Sequence, residues 1–245
     1  MIDKTEIKNT TGLVWFGNDL RIHDNNVLSL AVKNHTKVIG VYIIDPFLFE
    51  ENKFGFKKMD VFRAQFLLES LHDLKHQLLT KNISLLVFLD KQEIKLKAIC
   101  DSYQIDSIYK QKEWTHEENI SKIKVQKSLQ NTIKIIEVYN QFLYHPEDVN
   151  IKIENIPQVF SNLRKKLEKY VAVRANTEVQ KLNSTNIINT TNHIPTLNEL
   201  GFKLFEKNKR TSFPFHGGEC EGLKRLHNYF FETKKLGFYK KTRNG

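Results

Sequence analysis

Glycine is scarce in this chain, ten in 245 residues, and no strand-like run leads into G-x-G-x-x-G or G-x-x-x-x-G-K-[ST]. Those loops press backbone N–H groups against phosphates at a helix N-terminus. Their absence argues against a nicotinamide enzyme with a Rossmann phosphate loop and against a P-loop NTPase. Cysteine is scarcer still: Cys100 and Cys220 stand far apart with no C-x-x-C spacing, which argues against a disulfide framework and a zinc ribbon. Apolar runs such as Ile83 to Leu89 are far shorter than a bilayer span, and Met1 to Thr10 is polar and charged. A cytoplasmic protein without membrane association is expected. No local Ser, His and Asp pattern marks a nucleophile, so no catalytic residue is assigned. His72 and His76 have the i, i+4 spacing of metal ligands, but H-D-L-K-H lacks the glutamate of H-E-x-x-H and a third ligand. They read as exposed polar-face residues, and no metal site is expected.

What the chain does have is ordinary apolar content, 40%, and a net charge of +10. That is enough for one α/β domain with an extension. The charge is uneven: residues 201–245 hold eleven Lys and Arg against four Glu, a balance of +7. Such a patch suits an anionic partner, a nucleic-acid backbone or a cofactor phosphate; a generally lysine-rich, solvated surface accounts for it equally well.

Apolar runs at Leu13 to Phe16 and Val38 to Ile44 read as buried strands, with a helix from Asn26 to Lys33 capped by Asp24-Asn25 between them. Val61, Phe66, Leu67, Leu71, Leu74 and Leu78 line one face of a helix within Asp60 to Lys81. The alternation continues through strand Ser84 to Leu89, helix Lys91 to Tyr103, strand Ser107 to Tyr109, helix His116 to Leu129 and strand Ile133 to Tyr139. Thr115-His116-Glu117-Glu118 has the form of a capping box. The fold class is therefore α/β, a five-stranded parallel, doubly wound, Rossmann-like sheet with helices on both faces, then a linker and a C-terminal helix. The linker contains a helix from Val159 to Tyr170 and an Asn/Thr-rich stretch, Asn183 to Asn192, with little to bury. Gly217-Gly218 opens the final helix at Glu219.

Ligands of open parallel sheets bind outside the carboxyl ends of the strands. Asn18, Asp19, Arg21, His23 and Asp24 follow the first strand, Asp45 the second, and Gln111, Lys112, Glu113 and Trp114 the fourth. Asp19, Arg21 and Asp24 are expected to form a structural hydrogen-bonded and ionic cluster.

Trp15-Phe16-Gly17-Asn18-Asp19-Leu20-Arg21-Ile22-His23-Asp24-Asn25 resembles the Trp-Phe-Arg-x-Asp-Leu-Arg-x-x-Asp-Asn pattern of the cryptochrome/photolyase family, departing at Gly17, where the family has arginine. Phe213-Pro214-Phe215-His216-Gly217-Gly218-Glu219, Leu226-x-x-Tyr229-Phe230-Phe231 and Tyr239-x-x-x-Arg243-Asn244 resemble that family's entry into its FAD domain, most closely in DASH cryptochromes. The resemblance covers residues 12 to 245 and implies an α/β antenna domain over 1–140, an interdomain linker over 141–212 and the start of the helical FAD domain over 213–245. Glu113 matches a glutamate that contacts a folate antenna, 5,10-methenyltetrahydrofolate, with Trp114 available to stack nearby; a solvated acid preceding a helix is the competing reading. Tyr239 matches an FAD contact and Arg243 a DNA-facing residue, and an i, i+4 pair lets one helix serve both; an aromatic core position and a solvated arginine are the alternative. The resemblance implies blue-light, FAD-dependent repair of pyrimidine dimers, preferentially in single-stranded DNA, or photoreception. Most of the flavin site and the electron-relay tryptophans are expected beyond Gly245, so the chain alone is expected to be inactive. The competing expectation is a non-enzymatic α/β fragment that binds an antenna chromophore or a complementing C-terminal half.

Overall fold

The computed structural model describes residues 10–242 apart from 131, 207, 209 and 212. Five parallel strands form one sheet: β1 (Thr11–Trp15), β2 (Lys37–Ile44), β3 (Ser84–Leu89), β4 (Ser107–Gln111) and β5 (Lys134–Val138), in the order β3-β2-β1-β4-β5. The connecting helices are α1 (Asn26–Asn34), α2 (Val61–Thr80), α3 (Gln92–Tyr103) and α4 (His116–Ser128). Alternation along β1 separates the two faces. Val14 and Phe16 join a core with Val27 and Leu28 of α1 and Leu71, Leu74 and Leu78 of α2. Leu13 and Trp15 join a second core with Leu96 and Ile99 of α3 and Val125 of α4. The sheet is thus covered on both faces, as the sequence pattern predicts.

Local chemistry sets the element ends. Asn25 caps α1, its side chain accepting from Leu28 N–H at 3.0 Å. Gln104 closes α3 in the left-handed region, φ 50°, its N–H donating to the Cys100 carbonyl. The expected capping box at α4 does not close: Thr115 occupies the cap position without a side-chain hydrogen bond, and Glu118 Oε2 has no partner among the described residues. On α2 the buried face is Ala64, Leu67, Leu68, Leu71, Leu74 and Leu78, whereas Phe66 is exposed and tilts against Phe213. Leu67, Leu71, Leu74 and Leu78 are buried as predicted, and Gly217 packs on the backbone of the Phe66 turn, where a Cβ on it would meet the Phe66 carbonyl oxygen at 2.2 Å.

Helix α5 (Phe160–Tyr170) precedes a long irregular segment. Asn183 to Asn192, expected to bury little, buries Asn186 alone, whereas on either side of it Val179, Ile194, Leu197, Leu200 and Phe202 join the α1/α2 core. Its asparagines pair with the sheet backbone. The Asn186 side chain accepts from Val38 N–H at 3.0 Å and donates to the carbonyls of Val38 at 2.9 Å and Asn82 at 2.7 Å. Asn192 brackets Val87 of the edge strand β3 in the same way, at 2.7 and 2.9 Å. An edge strand exposes one row of N–H and C=O groups, and at Val87 the Asn192 amide satisfies both.

The segment ends against α2. His216 Nδ1 and Gly217 N–H approach the Glu69 carboxylate at 3.0 and 2.7 Å, and Cys220 N–H donates to Asp73 at 3.0 Å. Helices α6 (Glu219–His227) and α7 (Tyr239–Thr242) follow.

Asn186→Ala is expected to destabilise the chain by about 2–4 kcal/mol, since it strands buried backbone groups of β2. Asn183→Ala, at an exposed turn, should cost under about 1 kcal/mol. Urea denaturation of both variants checks the contrast.

Candidate functional site

Strand order reverses around β1: the chain moves from β1 to β2 and β3 on one side, then crosses to β4 and β5 on the other. The loops leaving β1 and β4 therefore diverge, and a crevice opens outside their carboxyl ends. A cavity of about 620 Å³ lies there, within the usual range for a small-molecule site, lined by Trp15 to Asn18, by Tyr42, Ile43 and Asp45, by Lys110, Gln111 and Glu113, and by Glu117, Glu118 and Ser121 of α4.

Glu113 is buried and bound on both oxygens. Oε1 accepts from Asn18 Nδ2 at 3.3 Å and Gln111 Nε2 at 3.0 Å, and Oε2 accepts from Gln141 Nε2 at 2.8 Å. It thereby joins the loop after β1, the end of β4 and the loop after β5, and is not a solvated acid. A Cβ on Gly17 would stand 3.6 Å from Glu113 Oε1, an ordinary contact. Glycine at this position leaves open space beside the carboxylate.

Asp19 is 1% exposed; Oδ1 accepts from Gly17 N–H at 3.0 Å, while Oδ2 has no partner among the described residues. Burial is the main cause that raises its pKa above 3.8, outweighing the Gly17 hydrogen bond and the Arg21 charge. Lys110 is buried with its ammonium 4.3 Å from the Trp15 ring centroid, and burial lowers its pKa. Gln111 is 3% exposed, and its Oε1 has no donor among the described residues.

The expected cluster of Asp19, Arg21 and Asp24 is hydrogen-bonded, but it is not an ion-pair cluster. The Arg21 guanidinium donates to the carbonyls of His23 and Asp24, both at 3.2 Å, and of Asn140 at 2.8 Å. Asp24 instead accepts from Thr177 N–H at 3.0 Å. The left-handed φ of 46° at Asp24 curls the loop so that its carbonyls face the guanidinium. Glu219 closes the loop from outside, accepting from Ile22 N–H at 2.8 Å and His23 N–H at 3.1 Å. The two sequence segments that carry the family resemblance thus touch.

Trp114 turns away from the cavity. It stacks on Tyr139 at 5.7 Å and 22°, with Lys112 donating to the Tyr139 hydroxyl at 3.0 Å. This aromatic group borders a second cavity of about 410 Å³, lined by Asp24, Asn26, Tyr139, Asn140, Phe142 and Arg174 among others. Tyr239, 53% exposed, opens α7 and lines neither cavity. Arg243 lies outside the described residues. His72 and His76 are exposed on α2. Sequence reasoning missed Asn18 and Gln141 as partners of Glu113, and Lys110 altogether; a lysine on a strand running into the core was the one available signal.

A parallel sheet with this order, and a polar crevice over its reversal point, define a doubly wound α/β domain with its crevice where such folds take ligands. The DNA photolyase family pattern matches residues 12–183. The chain belongs to the DNA photolyase family. Within it the chain is similar to the N-terminal half of DASH cryptochromes: it is 35% identical to cryptochrome DASH of Gloeobacter violaceus over 237 residues, 96% of this chain and 47% of that protein. The cryptochrome crystal structure from Synechocystis sp. superposes with a TM-score of 0.86 at 33% identity, over 96% of this chain and 49% of that one. An archaeal photolyase from Sulfolobus tokodaii, solved with two FAD molecules, gives 0.68 at 25% identity, over 89% and 46%. The chain spans about half the length of the curated relatives it matches.

Asp19 supplies a pH test. Its folded-state pKa is raised, so the folded state holds the proton more tightly than the unfolded state. Stability should fall as pH rises from the unfolded value through the folded one. Asp19→Asn keeps an acceptor for Gly17 N–H without the charge, so the variant should gain stability over the parent as pH rises from 4 toward neutrality. Urea midpoints measured across that interval give the difference; a constant offset would contradict it.

Proposed function

We propose that this chain is the antenna-bearing α/β part of a DASH-type cryptochrome or deoxyribodipyrimidine photolyase, and that the crevice beside Glu113 receives the antenna chromophore. The observation that carries this is the cavity at the β1/β4 reversal, with the Glu113 carboxylate fixed in its wall. An ionised acceptor in the wall of a roomy pocket fits a heterocycle with N–H groups, such as the pterin of 5,10-methenyltetrahydrofolate. Residues 1–140 then form the antenna domain, 141–212 the interdomain linker and 213–245 the start of the FAD domain, with Tyr239 against FAD and Arg243 toward DNA.

In such a protein the bound FAD supplies the electron that splits a pyrimidine dimer, and a damaged base is cheaper to extrude, more so from single-stranded DNA. The residues here contribute elsewhere: they hold the antenna, and Glu219 with Glu69 and Asp73 fixes the start of the FAD domain to the α/β domain. A single expected FAD contact falls within the described residues, Tyr239, so this chain by itself should not repair dimers. The unpaired thiols Cys100 and Cys220 suit the reducing cytoplasm.

A second reading, a non-enzymatic module awaiting a complementing C-terminal half, is favoured by one feature. Phe213, Leu223, Leu226, Phe230 and Phe231 are all exposed around α6, more apolar surface than a lone module keeps wet.

Gel filtration after incubation with 5,10-methenyltetrahydrofolate should leave a near-UV band, beyond the protein absorbance, eluting with the chain; its absence would remove the antenna assignment. Illuminated dimer-containing single-stranded DNA, with free FAD added, should stay unrepaired by this chain alone. Dimer splitting would overturn the proposed inactivity.

A further inference from the structure

Away from the crevice, helix α5 (Phe160–Tyr170) stands apart from the rest of the domain. It has no buried residue and joins neither core. Its side-chain pairings among the described residues are internal: Arg164 with Glu168 at 3.3 Å, and the Lys169 ammonium 5.0 Å from the Tyr170 ring centroid. Yet the helix is amphipathic. Leu163 and Leu167 are half-buried, while Phe160 and Tyr170 at its two ends are 71% and 72% exposed. The turn before it adds Ile153 and Val159, both exposed as well. Apolar side chains kept wet in a cluster mark an interaction surface.

Charge is arranged around that stripe. At roughly 100° per residue, Phe160, Leu163, Leu167 and Tyr170 span about 80° of the helix, with Arg164 on one flank and Lys166 on the other. Lys165 and Lys169 take the far side. Four Lys and Arg against the single Glu168 give α5 a balance of +3. A protein groove would cover the stripe and leave most of this charge in water. An anionic bilayer uses both: rings enter the headgroup boundary, and flanking cations reach the lipid phosphates with their stems laid along apolar surface. Aromatic side chains with a polar edge, such as Tyr170, suit that boundary.

We infer that α5 docks flat on an anionic lipid surface, with Phe160 and Tyr170 entering the headgroup boundary and Arg164 and Lys166 on the phosphates. No described helix is long and apolar enough to cross a membrane, and an interfacial helix has no need to cross. The expectation of no membrane association rested on the shortness of the apolar runs, which bears on spanning alone.

The test is flotation of the full chain with vesicles of phosphatidylcholine alone, or of phosphatidylcholine mixed with phosphatidylglycerol. Circular dichroism verifies that each variant is folded. The parent should float with the mixed vesicles at low salt and should be released by high salt, which screens surface charge. Arg164→Ser combined with Lys166→Ser should weaken binding about tenfold or more. Phe160→Ser should weaken it too. Lys240→Ser combined with Lys241→Ser, in the basic C-terminal segment, should float as the parent does. Tryptophan emission should shift to the blue on adding mixed vesicles to Phe160→Trp, and should not for Lys165→Trp on the far side. No flotation of the parent would overturn the inference. So would flotation lost with Lys240 and Lys241 but kept without Arg164 and Lys166. A dimer in gel filtration that Phe160→Ser dissolves would give the face to a second copy instead. Capture of a separately expressed C-terminal half by the parent but not by Phe160→Ser would give it to that half, and either result would overturn the lipid assignment.

Discussion

The interaction on which the site depends is the Glu113 carboxylate held by three side-chain amides. Asn18, Gln111 and Gln141 come from the loop after β1, the last residue of β4 and the loop after β5. These segments diverge at the reversal point of the sheet, just past the last backbone hydrogen bonds there, from Phe16 N–H to the Val41 carbonyl and from Lys112 N–H to the Val138 carbonyl. One buried acceptor group that takes an N–H from each does so. A buried carboxylate without such donors would be strongly disfavoured; with them it ties down three segments at once. The wall of the crevice is therefore rigid before any ligand arrives, which reduces the cost of ordering it on binding.

Carboxylates do the same work at the second junction. Glu69 and Asp73 on α2 take backbone N–H groups from the turn before α6, and Glu219 on α6 takes those of Ile22 and His23 in the loop after β1. The loop that begins with the crevice residues Gly17 and Asn18 ends on the first turn of α6. This exchange of carboxylates for N–H groups holds the start of α6 against α2 and the loop after β1 with directional bonds.

Much of the fold was legible because period and length speak directly: five short apolar runs alternating with four helices admit few arrangements other than a doubly wound sheet. What stayed hidden depends on distance in sequence. Nothing in the Asn/Thr-rich stretch announces that Asn186 and Asn192 complete the backbone bonding of β2 and β3, since a polar run reads as solvated until a bare strand edge is placed beside it. Resemblance singles out Glu113, but not its three amide donors, because Gln141 lies 28 residues away on a loop without pattern. Trp114 misled for a related reason: the rings it packs on, Tyr139 and Phe142, lie far along the chain in the loop after β5.

The account stands on the crevice at the β1/β4 reversal being a ligand site, with Glu113 held in its wall. A crystal structure of this chain soaked with the heterocycle it binds most tightly tests that directly. Density for the ring within the crevice, beside a Glu113 still bound to Asn18 and Gln141, is the expected result. A ring seated in the cavity between Tyr139 and Arg174 would contradict it.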